Sequence, residues 1–237
     1  MTYIENPKTK GSGILCAIPQ RGKCPVGCKD CFFQSGRSFL EPLDENLPNV
    51  PSVVQARGYV VRMNDGNDSN NERDLVIETA SQYEHVFYNT SMAERLSEFD
   101  APVVLTINPG EMTDRDFHRV DPAPDNLMFV RFRVNTWNLE LCDAAVIHYT
   151  KLGIPVILTF MAYYTEDIPS AYAHCYSFRK RTTNSYHVID HKSWNQAVER
   201  YSLFPLVHTC GKDADTHTCK FCGNCLREYF ATLCKKV

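Results

Sequence analysis

Six short apolar runs along the first 160 residues constrain this chain more than any other feature. They are residues 12–18 (SGILCAI), 58–63 (GYVVRM), 85–89 (HVFYN), 102–107 (PVVLTI), 127–134 (LMFVRFRV) and 154–160 (IPVILTF). Each is nearly continuous rather than alternating, and rich in β-branched side chains. Such runs suit strands buried on both faces of a parallel sheet. Amphipathic helical segments lie between them. Residues 71–83 set Leu75, Ile77, Thr79 and Ala80 among charges, and 91–99 open with Ser91 as an N-cap. Residues 138–152 carry Leu139, Leu141, Ala145, Ile147 and Leu152 near one stripe and end at Gly153. The helix after 102–107 is weak, because DPAPDN at 121–126 breaks it early. Strand and helix in alternation mean βα units with right-handed crossovers. Six units fall short of an eight-stranded barrel. The expected fold is α/β: a partial (β/α)6 TIM-like barrel over residues 1–203. A small cysteine-rich module over 204–237 follows, with a last helix at 223–235.

Composition narrows the function. The chain has 237 residues, 43% hydrophobic and 22% charged, ordinary for a globular protein and enough to bury a core without disulfides. Lys plus Arg number 25 against 28 Asp plus Glu, a net charge of −3. That excludes a strongly basic binder held to nucleic acid by bulk charge. No apolar run is long enough for a membrane span, and MTYIENPKTKGSG does not read as a signal peptide, so a cytoplasmic protein with no membrane partner is expected.

The eleven cysteines stand apart from this ordinary background. Seven fall in two tight groups: Cys24, Cys28, Cys31 near the front, and Cys210, Cys219, Cys222, Cys225 near the back. In a reducing compartment, clustered cysteines point to metal or redox chemistry rather than disulfides. The front spacing, C-x3-C-x2-C in a Pro/Gly loop just after the first strand, lets three thiolates hold three irons of a cubane and leaves the fourth open. Zinc held by the same three and a fourth ligand such as Cys16 is the alternative. The back group, Cys210-x8-Cys219-x2-Cys222-x2-Cys225, resembles the core of ferredoxin loops. Its rival is zinc on four of Cys210, His217, Cys219, Cys222 and Cys225. Cys142 and Cys175, in helical segments, read as core thiols, Cys16 as buried in the first strand, and Cys234 as a spare ligand.

With Cys24, Cys28 and Cys31 placed after the first strand of a βα series, the chain resembles the radical SAM superfamily over about residues 10–200. The resemblance implies a 4Fe–4S cluster on those three cysteines, with S-adenosylmethionine chelating the open iron. One-electron reduction then yields a 5′-deoxyadenosyl radical that abstracts hydrogen from substrate. It implies an electron donor such as flavodoxin or ferredoxin. The position before the third cysteine, usually aromatic in that family, is Asp30 here. The loop after the second strand, often Gly-Gly-Glu in the family, is Asn64-Asp65-Gly66-Asn67-Asp68. There Gly66 would allow close backbone approach, and Asp65 or Asn67 would accept from the methionine ammonium. Asn89, Thr106, Asn108, Arg131 and Arg133 lie at or near later strand ends, where the family holds the ribose and carboxylate. The back group then becomes an auxiliary cluster, giving two clusters per chain. The substrate, whether peptide, nucleic acid, nucleotide or metabolite, is not encoded in any motif. Two other classes stay open on the residues alone: a two-cluster electron-transfer or redox-sensing protein, and a zinc-stabilised nucleic-acid-binding module.

Overall fold

The computed structural model describes residues 2–28, 31, 33, 38–108, 119–180, 185–216 and 218–235. All six apolar runs form strands: β1 (Ile14–Ala17), β2 (Val60–Met63), β3 (Val86–Thr90), β4 (Val103–Ile107), β5 (Leu127–Val134) and β6 (Val156–Phe160). Beyond β6 the chain builds a small antiparallel sheet from β7 (Ala162–Tyr163), β8 (Tyr176–Arg179) and β9 (Tyr186–Ile189), ordered β7-β9-β8. It then returns as β10 (Val207–Thr209), parallel to β6. The main sheet is therefore seven-stranded, β1-β2-β3-β4-β5-β6-β10, and parallel throughout. The apolar runs predict six of these seven strands. β10 is not among them because three residues make no recognisable apolar run.

Each strand pairs with the next in chain order. Right-handed crossovers that all step the same way leave the intervening helices on one face. The sheet curls into a half-barrel. The helices are α1 (Leu43–Asn46), α2 (Val53–Ala56), α3 (Arg73–Ala80), α4 (Leu139–Lys151), α5 (His191–Glu199), α6 (Cys219–Cys222) and α7 (Asn224–Cys234). Helices α3 and α4 cover the outer face, where Val76, Ala80, Cys142, Val146 and Tyr149 pack on outward strand residues such as Val61, Leu105 and Phe132. The expected helix over 91–99 shrinks to one 3-10 turn, Leu96–Glu98. Ser91 caps nothing there. Its amide and hydroxyl both donate to Asp68 Oδ2, at 2.7 and 2.9 Å. The weak helix expected directly after β4 falls mostly on residues 109–118, outside the described residues.

The inner face is built in two tiers by the period of two along each strand. The lower tier is apolar: Ile14, Val60, Phe87, Val104, Phe129 and Ile157. Helix α7 closes it, with Cys225 and Tyr229 buried against that layer and Leu226 and Leu233 beside them. Of the segment expected as a small cysteine-rich module, β10 supplies one strand of the sheet and α7 the plug of its inner face. Burial of each large side chain in this tier contributes about 1.5–3 kcal/mol. Two residues further along the same strands the face turns polar, with Cys16, Arg62, Asn89, Thr106, Arg131 and Thr159.

Candidate metal centre and inner-face site

The front cysteines follow β1 and lie over the C-terminal ends of β2 and β3. Burial pushes the Cys24 thiol up to about 11, against the opposing pull of the Val26 and Asp68 backbones at its sulfur. Cys28 Sγ is 3.7 Å from Ser91 Oγ. The Cys31 amide donates to the Cys28 carbonyl at 3.2 Å, and the residue packs on the cluster of Ile18, Phe33, Leu40, Leu43 and Leu47. Asp68 organises this end of the sheet. It is buried, and it accepts from Thr90 Oγ1, Ser91 and the Asn70 amide.

The NDGND loop is more occupied than a simple ligand cradle. Asp65 Oδ2 pairs with Arg62 Nη2 at 2.7 Å, accepts from the Cys16 thiol at 3.5 Å, and accepts from Asn6 Nδ2. Gly66 faces Phe33: a Cβ there would stand 2.1 Å from the ring. The space that its missing side chain leaves is filled by an aromatic residue two positions beyond Cys31. Asn67 Oδ1 accepts from the Asp68 amide and Asn71, while its Nδ2 is buried with no hydrogen-bond partner among the described residues.

The back cysteines come together around the α6–α7 corner. Cys219 opens α6 and Cys222 ends it. Gly223 turns the chain at φ 63°, and Cys225 sits in the first turn of α7. Gly223 matters here because only a left-handed residue lets two helices share that corner. The Cys210 and Cys222 thiols act on one another. This raises the Cys210 thiol, with burial adding to the rise, and lowers Cys222 toward the thiolate. Cys219 feels the charges of Cys222 and Cys225, and burial raises it. Cys222 opens on a cleft of about 330 Å³ whose walls include Val198, His208, Thr209 and Phe221. His217, the rival ligand, lies outside the described residues. Cys142 and Cys16 are fully buried, Cys175, expected in the core, is only partly buried at the end of a 3-10 turn, and Cys234 is exposed at the end of α7.

Guanidinium groups face these thiols across the inner face. Arg62 is 6% exposed. Its Nη2 lies 3.3 Å from Cys16 Sγ, its charge is held by Asp65, and Cys219 and Cys225 add to its field. Arg131 donates to Asn89 Oδ1 at 3.1 Å and its charge reaches Cys210. Asn89 Nδ2 in turn donates to the Met63 carbonyl. Thr106 and Asn108 are buried, and Thr106 stands opposite Arg131 in register. Three inner-face atoms are buried without a hydrogen-bond partner among the described residues: Arg62 Nε, Arg133 Nη1 and Thr159 Oγ1. Arg62 and Thr159 were missed in the sequence. The usable signal was a charge inside GYVVRM and the parity of Thr159 with the arginines of β5.

The donors fit thiolate metal chemistry in kind: three soft sulfurs in front, four behind, with positive charge to offset thiolates. Among the described residues no three His, Cys, Asp or Glu side chains already stand in coordinating geometry. The back thiols are neighbours rather than a closed shell. Comparison with protein-family models, with curated proteins and with solved structures gives no match to this chain. No described helix is long and apolar enough to cross a membrane.

Proposed function

We propose that this chain is a radical S-adenosylmethionine enzyme with a second thiolate centre at its C-terminal corner. One observation carries the reading. A C-x3-C-x2-C loop leaves the C-terminal end of β1 in a consecutive parallel half-barrel, with Cys24 against Asp68 and Cys28 against Ser91. Barrels of this kind build their active sites at that end of the strands. Cys24, Cys28 and Cys31 would hold the front cluster, and Cys210, Cys219, Cys222 and Cys225 the second. A four-iron cluster held there would supply one-electron reduction of S-adenosylmethionine, drawing that electron from an external donor such as flavodoxin or ferredoxin.

The chain's own residues do the rest. Asp68 fixes the β2 and β3 ends on which the front loop rests. Phe33 on Gly66 ties that loop to the one after β2. Asn67 Nδ2 offers a buried donor beside it. Arg62 and Arg131 bring positive charge against the back sulfurs and favour their thiolate forms. The curled sheet and the α7 plug keep water from the lower tier of the inner face. The test is anaerobic reconstitution with iron and sulfide, then dithionite and S-adenosylmethionine. The wild type should release 5′-deoxyadenosine and methionine, and Cys28→Ala should release neither. Equal release from Cys28→Ala would remove the assignment.

A further inference from the structure

We infer that Arg133 and Thr159 form a binding site for an oxyanion, a carboxylate or phosphate, carried by the substrate. The two residues stand opposite one another in register on β5 and β6. Both lie on the inner face, because Phe132, Val134, Leu158 and Phe160 belong to the outer core. Arg133 Nη1 and Thr159 Oγ1 are each buried with no hydrogen-bond partner among the described residues. No carboxylate among the described residues pairs with Arg133 or with its neighbour Arg131. A guanidinium N–H and a hydroxyl, both kept from water and both unspent, leave a desolvation cost that an anionic acceptor removes. Thr159 adds a donor beside the guanidinium, the complement an oxyanion needs and a neutral ligand does not.

Position separates this site from the cofactor. The front cysteines lie against residues at the ends of β2 and β3. Arg133, on β5, and Thr159, on β6, lie two to four strand spacings from β3 and β2, roughly 10–19 Å along the sheet. Arg131, two residues earlier on the same face, is already engaged, donating to Asn89 Oδ1 at 3.1 Å. Arg133 is therefore the cation left for a group that enters from the β5–β6 side. Naming that group as part of the substrate rests on the radical-enzyme reading. The anion site itself does not.

The experiment uses the full chain and two probes, inorganic phosphate and malonate, with binding followed by titration calorimetry and thermal melting. At least one should bind the wild type saturably, and whichever binds more tightly identifies the substrate group as phosphoryl or carboxylate. Arg133→Met should weaken that binding about tenfold or more, and Thr159→Val by a smaller factor. Thr159→Val is nearly isosteric and decides the matter if Arg133→Met fails to fold. Saturable binding that is absent in the wild type, or untouched by both changes, overturns the site. A separate arm measures S-adenosylmethionine affinity on the reconstituted protein. A change within about twofold in Arg133→Met agrees with a substrate anion, and a tenfold loss would assign Arg133 to the cofactor carboxylate instead. Failure of the wild type to cleave S-adenosylmethionine would strike the enzyme reading while phosphate or malonate binding still stood.

Discussion

Gly66 shows how a single residue changes meaning once its neighbours are known. In the sequence, a glycine in a polar loop after a strand reads as room for a ligand. In the structure that room holds the Phe33 ring, and a Cβ would meet three ring carbons at 2.1–2.4 Å. Gly66 is thus the seat on which the front cysteine loop rests. Gly66→Ala should cost about 1–3 kcal/mol through overpacking, with loosened iron binding at the front site. Phe33→Leu combined with Gly66→Ala should recover part of that loss, because the smaller side chain vacates the clash. Denaturant unfolding of the two single variants and the double variant checks this. Additive losses, with no coupling, would mean that Phe33 does not sit on Gly66. The same scale explains why the partners of Asp65 are not legible in the sequence. Its carboxylate is engaged by Arg62, Cys16 and Asn6, and two of those partners lie more than 45 positions away in the chain.

Helix α7 makes the corresponding point for elements. Its existence was legible, since residues 223–235 read as a final helix and Asn224–Cys234 form it. Its place was not. Six strands buried on both faces require two covers, and the chain-order topology puts α3 and α4 on the outer one alone. The inner tier of Ile14, Val60, Phe87, Val104, Phe129 and Ile157 had to find another partner, and a hydrophobic pattern does not say which helix supplies it. Tyr229 is the centre of that contact. It is 3% exposed, with its ring 6.2 Å from Phe87 and its hydroxyl 3.4 Å from His85 Nδ1. Tyr229→Ala should cost about 3–5 kcal/mol, as truncation of a buried aromatic does. Tyr229→Phe should cost about 1 kcal/mol, because only a weak polar contact is lost. Urea unfolding measures both. A loss below about 1 kcal/mol for Tyr229→Ala would show α7 to be an appendage rather than part of the core.

At the scale of the whole molecule, one sheet carries both cysteine groups, which come from opposite ends of the chain. The front group hangs over the β1–β3 ends. The back group is carried by β10, the last strand of the sheet, and by the α6–α7 corner that continues into the plug. Cys219 N donates to the Lys8 carbonyl at 2.9 Å, so the back corner is also pinned to the segment that leads into β1. The spacing of both groups was readable in the sequence. The place of the back group on the sheet was not, because it depends on β10 joining β6. This arrangement makes the metal content of the two groups separable. In anaerobically reconstituted wild type we expect about eight irons per chain, two cubanes of four. The triple change Cys219→Ala, Cys222→Ala, Cys225→Ala should lower that to about four, since Cys24, Cys28 and Cys31 lie over other strands. Cys225 belongs to the inner tier, so the triple variant should also melt earlier. Its iron is therefore counted on protein whose folded state has been checked by circular dichroism. A structural zinc at the back corner predicts a different pattern: about four irons and one zinc in the wild type, with only the zinc lost in the triple variant. Elemental analysis of the two preparations distinguishes them. One tightly held zinc in the wild type would make the corner a clip that fastens α7 over the inner face, leaving the front loop as the sole iron site.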